Sequence, residues 1–214
     1  MVPENIRIKF HKKGRLIYIS HLDLCRTVCP AMIRAKIPVW YTEGYNPHPK
    51  MVFAQPLPLF VESRCELLDI RITEHIGCDE IEKRLRQALT PDLYVEEVYT
   101  GGAKFREIEY AAYSVICDRE FADAAVTVSD SGSLPAEKKV KTGTVTADIL
   151  PQVRSLRRTG DNEIECVLSA SASSYLNPVI FCKAVADKYR LGDVGSALNI
   201  VRTGWLKKDL TVFR

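Results

Sequence analysis

Apolar and polar positions alternate at the start of the chain, where Ile6, Ile8 and Phe10 are separated by Arg7 and Lys9. A period of two is that of a half-buried strand. After the polar HKKGR segment the apolar run Leu16-Ile17-Tyr18-Ile19 resumes, which predicts a hairpin-like strand pair turning at Gly14. Ser20 and Asp23 then form an S-x-x-D capping pattern, and Leu22, Cys25, Cys29 and Met32 recur at helical spacing to about Ala35, with Pro30 as a bend. Strand-like pieces follow around 39–41, 51–54 and 67–73, the last with Leu68, Ile70 and Ile72 on one face. Asp79, Glu80 and Glu82 precede Lys83, Arg84 and Arg86, the charge order that a helix dipole favours, with Ile81, Leu85 and Leu89 inward. Residues 93–99 read as a strand.

Gly101-Gly102 marks the best boundary, because the order then starts again: a strand over 108–117, a short helix over 119–125 and a strand over 140–147. A strand over 164–170 follows, then a helix capped by Asn177, opened by Pro178 and ended at Gly192, and a last strand over 210–213. Each half approximates β-α-β-β-α-β. This predicts an α+β protein of two ferredoxin-like units in tandem, residues 1–100 and 101–214, each an antiparallel sheet with helices on one face. Residues 129–137 (SDSGSLPAE) read as a loop.

The composition is globular: of 214 residues, 46% are hydrophobic and 27% charged, which excludes disordered, collagen-like and coiled-coil classes. The uncharged stretch from Met51 to Val61 stops well short of the roughly 20 residues of a membrane helix. The opening MVPENIRIKF has no secretory pattern, so a cytoplasmic protein with no membrane association is expected. Seven cysteines lie scattered with no C-x-x-C pair, which favours buried thiols over disulfides or zinc. The net charge of +3 conceals unevenness: residues 1–60 carry nine Lys/Arg against three Asp/Glu, and residues 61–117 seven against twelve. Such a basic front either meets a polyanion or attracts the acidic segment that follows.

The most informative string is Gly44-Tyr45-Asn46-Pro47-His48-Pro49-Lys50. Asn46 and His48 both precede prolines, which forces extended geometry and stiffens the loop. The loop then presents an amide, an imidazole and an ammonium together, a mixture suited to binding a phosphate or moving a proton. The bland alternative is a structural turn. Ser20-His21-Leu22-Asp23 looks like a catalytic cluster, yet capping accounts for Ser20 and Asp23, while His21 supplements the anion-attracting first turn of a helix. His21 and His48 are candidate acid and base if the fold joins them. Cys25-x3-Cys29 mimics the opening of a four-iron cluster motif, but Met32 occupies the third ligand position, so helical core thiols are the alternative and no metal or other cofactor is expected. Basic groups at Lys12, Lys13, Arg15, at Lys138, Lys139, Lys141, at Arg154, Arg157, Arg158 and at Arg202, Lys207, Lys208 are candidate phosphate contacts. Tyr18, Trp40, Tyr41, Tyr45 and Trp205 are candidate stacking aromatics, with core filling as the alternative.

Taken together, Gly14-Arg15-Leu16, Ser20-His21-Leu22-Asp23-Leu24, the 44–50 string and Val61-Glu62-Ser63 with Glu66 and Asp69 resemble the radical-SAM-linked bacterial domain of unknown function, found beside or fused behind radical S-adenosylmethionine proteins. The likeness spans most of the chain, including residues 142–150 and Val201-Arg202-Thr203-Gly204. It departs at Phe60, where that family commonly has glycine, and at Cys25 and Cys29. A second similarity, in architecture, is to the repeat-RNA-processing endoribonucleases of CRISPR systems. The first resemblance implies a radical S-adenosylmethionine protein as partner. The expectation is an accessory protein that holds a substrate, which RNA would fit, through Ser20, His21, Tyr45, Asn46, His48, Lys50 and Arg202. Two alternatives stand beside it: a metal-independent endoribonuclease using His21 and His48, and a structural partner with no site.

Overall fold

A computed structural model describes residues 4–140, 143–192 and 198–214, and the chain divides into two compact units, Met1–Ala103 and Lys104–Arg214. The first runs β1 (Glu4–Lys12), α1 (His21–Arg34), β2 (Met51–Phe53), β3 (Val61–Ile72), α2 (Cys78–Ala88) and β4 (Val95–Thr100). Its strands lie in the order β4-β1-β3-β2 and every pairing is antiparallel. The register sets Ile6 opposite Ile70 and Ile8 opposite Leu68, and sets Met51 and Phe53 opposite the same two β3 residues. One sheet face is therefore apolar, and it packs with Leu24, Val28 and Met32 of α1 and Ile81 and Leu85 of α2 into a single core.

The Leu16–Ile19 run is not a strand. Gly14 turns the chain at φ +59° and residues Gly14–Tyr18 form a short 3-10 turn. Both edges of β1 are already occupied, by β3 and β4, so no ladder position remains for a hairpin partner. A Cβ at Gly14 would also lie 2.9 Å from the Asp92 carboxylate oxygens, so that side chain would have to move aside, and the positive φ is what favours glycine there.

On the opposite sheet face, Arg7 stands across the ladder from Asp69 and Tyr99. Its Nε and Nη2 donate to the two Asp69 oxygens at 2.7 and 2.9 Å, a two-pronged pair. Arg7 is 4% exposed and Asp69 34%.

The second unit runs β5 (Tyr110–Ile116), α3 (Arg119–Thr127), β6 (Pro135–Val140), β7 (Gly143–Asp148), β8 (Val153–Gly160), β9 (Glu163–Ser169), α4 (Pro178–Tyr189) and β10 (Asn199–Leu206). Its main sheet has the order β10-β5-β9-β8, again antiparallel throughout, while β6 and β7 form a two-stranded sheet of their own among the described residues. Ala111, Tyr113 and Val115 face Leu168, Cys166 and Ile164 across the ladder, and all six are buried, as are Phe121 of α3 and Phe181 of α4. The fold class is thus α+β with antiparallel sheets.

Several boundaries differ from expectation. The loop over 129–137 gives way at Pro135 to β6. The strand next to β9 is β8, not the 140–147 stretch, which belongs to the separate β6–β7 pair. The last long strand is Asn199–Leu206, and Val212 contributes only an isolated bridge to Leu206. α4 ends on Arg190 in the left-handed region, ahead of Gly192. Lys141 and Thr142 lie outside the described residues.

Asp148 clasps the base of the β6–β7 pair, its Oδ1 accepting from Leu134 N at 2.7 Å and Leu150 N at 3.0 Å. These two backbone donors hold its carboxyl below the usual aspartate range. The clasp is therefore complete above the unfolded value of about 4 and is lost as pH falls through the lowered folded value. The protection of the Leu134 and Leu150 amides, measured against their intrinsic exchange rates, should fall only at that acid end. Unchanged protection down to pH about 2 would contradict the assignment.

Candidate functional site

The stiff loop leaves α1 through 36–40 and is built on the end of β3. Thr73 N donates to Pro38 O at 2.8 Å, Trp40 N donates to Arg71 O at 2.7 Å, and Val39 bridges Ile72. The chain then folds back on itself: Lys50 N donates to Trp40 O at 3.0 Å, Tyr41 bridges Pro49, and Thr42 N donates to His48 O at 2.9 Å. Pro47 and Pro49 lack N–H donors, so the ladder uses the donors of Thr42, His48 and Lys50. Gly44 at φ +129° makes the reversal, a conformation reached without strain only by glycine. Tyr45 sits at the tip, fully exposed.

His48 is tied into this frame at one ring nitrogen. Its backbone N donates to Thr42 Oγ1 at 3.2 Å, and its Nδ1 lies 3.1 Å from the Asn46 carbonyl and 3.2 Å from Thr42 Oγ1. A carbonyl only accepts, so Nδ1 carries the proton in the neutral ring and the lone pair sits on Nε2. Nitrogen-15 NMR of the neutral ring should show Nδ1 protonated; the Nε2–H tautomer would contradict this geometry.

Lys50 and Arg71 converge on Trp40. The Lys50 ammonium is 5.6 Å and the Arg71 guanidinium carbon 5.9 Å from the ring centroid, within the range of cation–π attraction. Arg71 Nε also donates to Asn5 Oδ1 at 3.1 Å, which orients it. Lys50 and Arg71 are exposed and Trp40 is half-buried.

The other expected site residues fall elsewhere. Ser20 is the N-cap of α1: its hydroxyl accepts from Asp23 N at 3.1 Å and donates to Asp23 Oδ2 at 2.7 Å. That second bond holds the Asp23 carboxyl below its usual range. His21 opens the helix with its ring edge-on to Phe53 at 5.0 Å and its Nε2 3.7 Å from Cys25 Sγ. Among the described residues, no hydrogen bond or ring contact joins His21 to His48. Burial raises the Cys25 thiol, with Cys29 as a further contributor, so Cys25 remains protonated at neutral pH.

Arg202 and Lys12 are not surface cations. Arg202 is completely buried, stands opposite Tyr113 on the core-facing side of β10, and stacks 4.2 Å from the Trp205 centroid while Nε donates to Tyr113 Oη at 3.3 Å. Lys12 is 1% exposed. The described residues contain no group of three His, Cys, Asp or Glu placed to hold a metal ion, and no helix long and apolar enough to cross a membrane.

Arg71 is the contributor that sequence reading missed. The signal was present: Asp69 and Arg71 are the polar positions alternating with Leu68, Ile70 and Ile72, so both point to the face opposite the core.

The model of a family described as "Uncharacterized protein conserved in bacteria (DUF2344)" matches residues 5–178. No curated protein matches the chain. Among solved structures it is similar to an unknown protein from Galdieria sulphuraria, at 10% identity over 92% of this chain and 96% of that one, with a TM-score of 0.28.

Proposed function

The chain belongs to this uncharacterized family conserved in bacteria, DUF2344, and we propose, from the resemblance of its sequence motifs rather than from that membership, that it is an accessory binding protein that holds single-stranded RNA for a radical S-adenosylmethionine enzyme. The observation that carries the RNA part is the Trp40 ring with Lys50 and Arg71 within 6 Å of it, beside a braced loop. An aromatic face stacks a base of any identity, and flanking cations take the phosphates. The loop is prefolded by its ladder, so binding spends little entropy on ordering it. Tyr45, Asn46 and His48 extend the surface along the loop, with His48 Nε2 turned to ligand duty by the tether on Nδ1.

Binding is favoured over cleavage by the separate commitments of the two imidazoles. A two-histidine mechanism needs both rings at one reacting phosphate, whereas His21 is packed on Phe53 and Cys25. We also read each unit as a ferredoxin-like module. The element order β-α-β-β-α-β and the strand order fourth-first-third-second recur in both, with the β6–β7 pair as an insertion in the second.

A protein partner is supported by an exposed aromatic pair. Tyr18 and Phe60 pack edge to face at 5.8 Å with both rings more than half exposed, and Phe60 holds φ +66°. A bulky side chain in that region costs roughly 1 kcal/mol relative to glycine.

The test is fluorescence anisotropy of a labelled single-stranded RNA over a salt series with metal chelated. Binding should weaken with salt, and Lys50→Ala should lower the magnitude of the log–log slope by about 0.7, the contribution of one single-strand phosphate. A slope unchanged by Lys50→Ala would remove that residue from the site.

A further inference from the structure

A second basic feature lies on the helical side of the first unit, where an open cleft of about 580 Å³ separates the C-terminal end of α1 from α2. Arg34, Lys36, Lys83 and Arg84 line it, with Glu80 and Gln87. Four cations against one carboxylate is more than helix-end electrostatics requires, because the carbonyls there already have partners. Lys36 N donates to Ile33 O and Ile37 N to Met32 O, at 3.0 and 3.1 Å, closing α1 in a left-handed cap at Lys36 (φ 51°). Arg84 Nη1 donates to Lys36 O at 3.3 Å, and Arg34 Nη2 to Ala88 O at 3.0 Å. Glu80 is taken by Arg84, whose Nε donates to Oε1 at 2.6 Å, and this bond keeps the Glu80 carboxyl below its usual range.

The two arginines are thus structural fasteners, whereas the ammonium groups of Lys36 and Lys83 fasten nothing by direct contact, Lys83 acting on Glu80 through its charge alone. Both side chains are exposed, and among the described residues neither forms an ion pair within contact distance. Like charges gathered in one concavity raise the local concentration of anions. The volume falls within the range of small-molecule sites, about 300–1,000 Å³, which favours a compact ligand over a polymer that would run along the surface.

We propose that this cleft binds a small phosphate-bearing ligand of about nucleotide size, with Lys36 and Lys83 neutralising its phosphates and Gln87 offering an amide to the remainder. The site is separate from the Trp40 surface and stands or falls independently of it. The experiment is calorimetric titration of the full chain with inorganic triphosphate and with adenosine triphosphate, in low salt and without divalent metal. Saturable binding of both is expected. Lys36→Ala with Lys83→Ala should weaken it at least tenfold with an unchanged melting curve, while Lys207→Ala in the second unit leaves it unaltered. Absence of saturable binding, or binding indifferent to the double substitution, overturns the proposal. Displacement of triphosphate by single-stranded RNA at lower phosphate concentration than by adenosine triphosphate assigns the cleft to a polymer and overturns it as well.

Discussion

Replacing Arg7 with alanine should lower the unfolding free energy by about 3 kcal/mol, because it leaves the Asp69 carboxylate without the two-pronged partner that its place in the sheet was built around. The value sits at the low end for a broken buried pair, since Asp69 keeps 34% of its exposure and regains some hydration. For a chain of this size the loss corresponds to a melting temperature lower by about 6–12 °C. Arg7→Lys should recover only part of it, because an ammonium cannot reproduce the planar fork that meets both carboxylate oxygens. Denaturant melts of the three proteins check this. A loss below about 1 kcal/mol for the alanine variant would mean that the pair contributes no more than an exposed ion pair.

Trp40→Ala should weaken single-stranded RNA binding by about 5- to 150-fold, the equivalent of the roughly 1–3 kcal/mol that a stacked base contributes. The backbone bonds that brace the loop, Trp40 N to Arg71 O and Lys50 N to Trp40 O, do not use the side chain, so the loop stays in place and the loss reports the ring itself. Trp40→Phe should retain most of the affinity. Lys50 and Arg71 lose their shared ring in the alanine variant, so its salt dependence should change less than its affinity. Equal affinities of wild type and Trp40→Ala at one salt concentration would remove stacking from the account.

The elements that sequence made legible are those whose apolar period matched their geometry. Ile6, Ile8 and Phe10 alternate on β1 and Leu68, Ile70 and Ile72 on β3, and all six are buried. On α1 the helix forms as expected but its inward face is shifted, because Met32 is buried while Leu22 is exposed and Cys25 and Cys29 are half-buried, and Leu24 and Val28 fill the core instead. The failures have physical causes that no local window contains. Leu16–Ile19 carries a strand-like run, but the ladder positions beside β1 are filled by segments over 50 residues away in sequence. β8 hides because its exposed arginines look like a basic patch, whereas Arg157 is a cross-strand partner whose Nε donates to Glu165 Oε2 at 2.7 Å. Arg202 was placed on the surface by its charge, yet its register opposite Tyr113 turns it into the interior.

The site divides in the same way. Prolines and glycine announced a stiff loop at 44–50, because their constraints on φ are local. Which nitrogen of His48 is tethered depends on Thr42 and on the Asn46 carbonyl closing the turn, and the arrival of Arg71 at Trp40 depends on the seating of 38–40 along the end of β3. Both are tertiary facts. The same holds for Lys36 and Lys83, nearly fifty residues apart in sequence but lining one cleft.

The central claim is that this chain binds RNA through the Trp40 surface without cutting it. The most direct measurement follows the binding and integrity of a labelled single-stranded RNA together, with metal chelated, for wild type, Trp40→Ala and His48→Gln. The account predicts intact RNA throughout, salt-sensitive binding by wild type, a large loss for Trp40→Ala and a modest one for His48→Gln. Metal-independent cleavage that falls by about 10² or more in His48→Gln, or no RNA binding by the wild-type chain at any salt concentration, would contradict it.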